Sequence, residues 1–131
     1  MPQPGRAALQ VVDRSQPVAL KAFSRIAEVW SLTVEEAAGL ADMSVSTWKR
    51  ARRPGYAGTL SRDKLLRLSL LVGIYKSLAL YFDPPLAESW VSRANTGPEF
   101  DGATPVAAMV AGGLSKIQKV RVYLDALRGG A

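Results

Sequence analysis

Cations bunch in one stretch of this sequence: Lys49, Arg50, Arg52, Arg53, Arg62, Lys64 and Arg67 stand against one acid, Asp63. Ammonium and guanidinium groups at that density neutralise phosphates, so the chemistry they point to is binding of a polyanion, most commonly nucleic acid. The whole chain agrees: Lys plus Arg outnumber Asp plus Glu by 17 to 11, giving a net charge of +6 and a pI near 10. Arg62, Lys64 and Arg67 can equally form a solvated helix face. Catalysis finds few candidates. The 131 residues include no cysteine and no histidine, which removes thiolate nucleophiles, disulfides, the usual zinc ligands and the usual general base at neutral pH. No glycine-rich phosphate loop is present, and the neighbouring carboxylates Glu35 and Glu36 are better explained by helix capping. The expectation is a binding protein with no enzymatic activity, cofactor or metal.

The elements that must present those cations read as a helix-turn-helix over Val34 to Arg50, VEEAAGLADMSVSTWKR. Thr33 and Glu36 have the spacing of a capping box, and Ser44 caps the next helix. Ala38 is the small residue where two such helices touch, Leu40 and Met43 supply packing, and Trp48 anchors the second helix in the core. Asp42 stands at the turn, where the backbone tends to be left-handed and glycine is common. That leaves Ser44, Val45, Ser46, Thr47, Lys49, Arg50, Arg52 and Arg53 as the DNA-facing candidates. Lys49 and Arg50 suit phosphates better than base edges. A helix-turn-helix that only scaffolds a dimer is the rival reading.

Around this motif the chain reads as all-α: an N-terminal helix-turn-helix bundle followed by a small C-terminal helical module. Met1 to Gln16 is expected to be a flexible arm, residues 17–60 the DNA-binding unit, and residues 61–131 the second module. A first helix starting at Pro17 turns Ala19, Leu20, Phe23, Ile26, Ala27 and Trp30 to one side. After a loop at Arg53 to Leu60, Ser61 caps a long helix to Phe82. Its stripe is Leu65, Leu68, Val72, Tyr75, Ala79 and Phe82, widened by Leu66, Leu71, Ile74 and Leu78. That apolar surface could serve a dimer or be buried within one chain. A short helix from Pro85 to about Arg93 follows, then a loop over Asn95 to Ala103. Thr104 and Pro105 open a helix that Gly112-Gly113 ends, and a last helix covers Leu114 to Arg128. No segment is apolar enough for a signal peptide or a membrane span, so the expected place is the cytoplasm.

The second module carries a more specific pattern. Trp90, Asn95, Phe100, Gly102, Thr104, Pro105, Met109, Gly112 and the ending VRVYLDALRGG resemble the toxin-binding domain of the Xre/MbcA/ParS antitoxin family. Members combine a helix-turn-helix, a leucine-rich helix, a W–x–N–x–F–x–G–x–T–P type passage and a short last helix. The loop here departs from the family's usual step to Gly-Gly: it runs Asn95 to Gly102 with Pro98 and a single closing glycine.

The resemblance implies an antitoxin of a type II toxin–antitoxin system. Its partner would be a RES-domain toxin that consumes NAD, by degrading it or by ADP-ribosylating a target. The C-terminal region would block that toxin's active site, and the pair would bind its own operon promoter. Asn95, Phe100, Tyr123, Leu124, Leu127 and Arg128 are the toxin-binding candidates. Arg128 suits a carboxylate- or phosphate-bearing surface, or it simply complements the helix dipole. Trp90, Phe100 and Met109 at these spacings suit a core more than an interface, and Asn95 is most simply a helix C-cap. A homodimer is expected, because operators read by this motif are usually two-fold. The alternative is a dimeric helix-turn-helix regulator with no toxin partner.

Overall fold

The computed structural model describes the backbone of residues 4–128 and the side chains of residues 16–127. Six α-helices follow in order: α1 Pro4–Val29, α2 Val34–Ala41, α3 Val45–Ala51, α4 Arg62–Tyr81, α5 Pro84–Ser89 and α6 Pro105–Arg128. A 3-10 turn, Trp90–Ser92, follows α5, and no strand occurs among the described residues. The all-α reading holds.

Local chemistry sets the helix starts. Thr33, Ser44 and Ser61 each accept a backbone N–H from the third residue of the helix they open, satisfying donors that a helix leaves orphaned. Thr33 and Glu36 close the full capping box at 3.0 and 2.9 Å. The first helix differs from expectation, because it begins at Pro4 and carries Pro17 inside it. Pro4 takes the first-turn role assigned to Pro17, and Ala7, Ala8, Leu9 and Gln10 behind it are strong helix formers. The segment expected as an arm is therefore helical from Pro4 onward. Gly113 breaks α6 as predicted: its φ of 66° and ψ of −155° are non-helical and separate 105–112 from 114–128.

One apolar core runs through the chain. Phe23 and Trp30 of α1, Leu40 of α2 and Trp48 of α3 join Leu68, Leu71, Ile74 and Leu78 of α4 and Met109, Ile117 and Leu124 of α6. The long helix α4 packs on both α1 and α6, and α2 packs directly on α6. The stripe predicted for α4 is rotated. Leu68, Leu71, Ile74 and Leu78 are fully buried, whereas Leu65, Val72, Tyr75 and Phe82 are half-buried and Ala79 is exposed. A stripe that wide leaves the angle of the helix open, and α1 and α6 on either side decide it.

Candidate nucleic-acid interface and C-terminal face

The turn between α2 and α3 is built from backbone outward. Asp42 adopts φ 58°, ψ 49°, the left-handed region. Its N–H donates to Gly39 O at 3.2 Å and that of Met43 to Ala38 O at 2.9 Å, the Schellman arrangement that closes a helix. Ala38 and Leu40 are buried behind it, and Trp48 packs edge-on against Phe23 with centroids 5.4 Å apart. These contacts fix α3 relative to α1 and α2.

The eight predicted DNA-facing residues then divide by environment. Ser46, Lys49, Arg50, Arg52 and Arg53 are exposed. Val45 is half-buried against the core. Ser44 is exposed, but its hydroxyl is engaged: it accepts Thr47 N at 3.1 Å and donates to Thr47 Oγ1 at 2.9 Å. Thr47 Oγ1 also accepts Arg50 Nη2 at 3.3 Å, so this hydroxyl chain holds the arginine against the first turn of α3. Of the cations behind the helix, Lys64 pairs with Asp42 at 3.8 Å and Arg67 with Asp63 at 2.8 Å. Among the described residues, Lys49, Arg50, Arg52, Arg53 and Arg62 form no ion pair. Within this basic stretch the unpaired charge thus lies on α3, the connection after it and the first residue of α4.

The C-terminal face is organised by an aromatic ladder. Phe100 stands edge-on to Trp90 and to Tyr123, with centroids 5.6 Å apart in each pair. Asn95 closes the loop beneath it. Its side chain accepts Gly97 N at 2.8 Å, its N–H donates to Ala103 O at 3.0 Å, and its carbonyl accepts Gly102 N at 2.8 Å. Lys116 ties the loop to α6 by donating to the Glu99 carbonyl at 3.0 Å.

Two predicted contact residues are corrected. Phe100 is 3% exposed and Leu124 is fully buried, so neither can touch a partner without opening the core. Phe100 stands against Tyr123, which is half-buried, and Leu127 is exposed. Arg128 ends α6, and its side chain lies outside the described residues. Sequence reasoning missed Val122. This valine is 66% exposed and lines an open groove of about 510 Å³ with Pro98, Glu99, Lys119, Tyr123 and Ala126. The signal was present: 115, 118, 122 and 126 follow helical spacing on the side opposite Ile117, Val120 and Leu124.

No helix among the described residues is long and apolar enough to cross a membrane. The family model of the antitoxin Xre-like helix-turn-helix domain matches residues 10–73, which takes in α2, α3, their turn and half of α4. The chain is also similar to "Uncharacterized protein y4oB" of Sinorhizobium fredii (strain NBRC 101917 / NGR234), at 36% identity over 133 residues, covering 99% of this chain and 100% of that protein. No solved structure matches. With the capped helix pair, its left-handed turn and its core tryptophan in place, the chain belongs to the Xre-like helix-turn-helix antitoxin family.

Proposed function

We propose that this chain neutralises a NAD-consuming RES-domain toxin by covering its active-site cleft, and binds the promoter of its own operon as a homodimer. The observation that carries the reading is the pairing of two chemically different exposed surfaces on one core. At one end, Lys49, Arg50, Arg52 and Arg53 project uncompensated from α3 and the loop after it, which suits phosphate neutralisation. At the other, Val122 and Leu127 expose apolar side chains beside Lys119 and Tyr123, which suits a protein partner with an anionic rim. The identity of the toxin comes from the resemblance of the Trp90 to Gly113 passage, and inhibition works by occlusion.

Co-expression with the neighbouring reading frame tests the proposal. The neighbour alone should arrest growth and deplete NAD or ADP-ribosylate protein, and this chain should restore growth. Val122→Asp with Leu127→Asp should abolish rescue while leaving promoter binding intact. A neighbour that is harmless alone would instead favour a regulator without a toxin.

A further inference from the structure

A second concavity lies on the helix-turn-helix half, away from the C-terminal face. It is a half-enclosed cleft of about 450 Å³ between α1 and the segment that leaves α3, inside the range of about 300–1,000 Å³ that holds small ligands. Its base is apolar: Leu20 is 5% exposed and Ala51 2% exposed, and the half-buried ring of Tyr56 forms one wall. Gly55 turns the chain there at φ 81°, a conformation that glycine adopts without strain. The rim is cationic. Lys21 and Arg25 come from α1, one helical turn apart, and Arg52 and Arg53 face them from the end of α3. Among the described residues Glu28 is the one acid of the lining. Among the described residues none of these five forms an ion pair.

A DNA backbone would use those four cations and leave the apolar floor empty. The ligand that uses both is a small, flat, apolar molecule carrying one carboxylate or phosphate group. Its body would lie on Leu20, Ala51 and Tyr56, and its anion would be held by the guanidinium groups, whose forked donors match either oxyanion. We propose that this cleft binds an aromatic anion of that class, and that occupancy competes with DNA by engaging Arg52 and Arg53. The competition rests on the reading of those two arginines as phosphate contacts; the binding does not.

The probes are 2-naphthyl phosphate, inorganic phosphate and neutral 2-naphthol, titrated into the full chain by calorimetry and amide NMR. The naphthyl ester should bind one-to-one with a sub-millimolar Kd, at least about tenfold tighter than either fragment, because only it satisfies floor and rim together. The perturbed amides should include Leu20, Ser24, Ala51 and Tyr56. Ser24→Phe, which fills the cleft and keeps its charges, should weaken binding about tenfold. So should Arg25→Glu with Arg53→Glu, each variant first shown to melt as the parent does. Equal binding of inorganic phosphate, perturbations elsewhere, or no binding at millimolar ester would each overturn the site. The ester should also release a promoter fragment from the parent chain but not from Ser24→Phe. Ester binding without release would overturn the competition and leave the site standing. A chain that binds the ester and no DNA would overturn the DNA reading instead.

Discussion

Asp42 occupies the left-handed region at the point where α2 hands over to α3, and most side chains pay about 1–2 kcal/mol there. Aspartate suffers less than alanine, and glycine least. Asp42→Ala should therefore lower stability by about 1 kcal/mol in urea unfolding, with part of the loss from the Lys64 contact at 3.8 Å. Asp42→Gly should be neutral or slightly stabilising; an alanine variant as stable as the glycine one would refute the strain account. Ser44→Ala removes the hydroxyl that accepts Thr47 N and organises Thr47 beneath Arg50. It should cost about 1 kcal/mol, read from the same urea curves. These residues were legible in the sequence because capping depends on neighbours three or four positions away. In the sequence Phe100 suits both a core and a contact, and Leu124 reads as a contact; their burial is decided by Trp90, Tyr123 and α4, which are distant in the chain or belong to another element.

Glycines set how closely the helices approach. A Cβ on Gly39 would come 2.9 Å from Val110 Cγ1, where α2 crosses α6. One on Gly73 would fall on the guanidinium of Arg121, where α6 crosses α4. Helix propensity alone would make alanine better at both positions by about 1 kcal/mol. The neighbours decide at which of the two that gain survives. Arg121 is the far end of a flexible side chain held only by a surface pair with Asp125 at 3.2 Å, so Gly73→Ala should still raise the melting temperature. Val110 is β-branched and stiff in a helix, so Gly39→Ala should destabilise by about 1 kcal/mol. Val110→Ala should recover most of that loss, and a double-mutant cycle measures the coupling. No coupling would mean that the helices adjust freely at this crossing. At this scale the sequence located all six helices but not the rotation of α4 or the start of α1. Wide apolar stripes and two competing first-turn prolines do not determine either without the packing partner.

The two ends of the molecule share one core, and this bears on how binding at one end is felt at the other. Residues 105–112 of α6 pack on the helix-turn-helix, and residues 114–128 carry Val122 and Leu127. Between them Gly113 leaves helical geometry, so the C-terminal part is set at an angle that the first part does not transmit as a continuous rod. The surfaces should then separate by mutation. Replacing Lys49, Arg50, Arg52 and Arg53 together by alanine should weaken promoter binding and reduce the slope of log K against log[salt] by roughly 0.9 for each phosphate that is no longer neutralised. Neutralisation of the co-expressed toxin should survive, because none of the four lies near the groove at Val122 and Tyr123. A salt slope unchanged by the fourfold variant would show that the DNA phosphates are held elsewhere. Loss of both functions with an unchanged melting curve would overturn this separation and show that the two ends are coupled through the core they share.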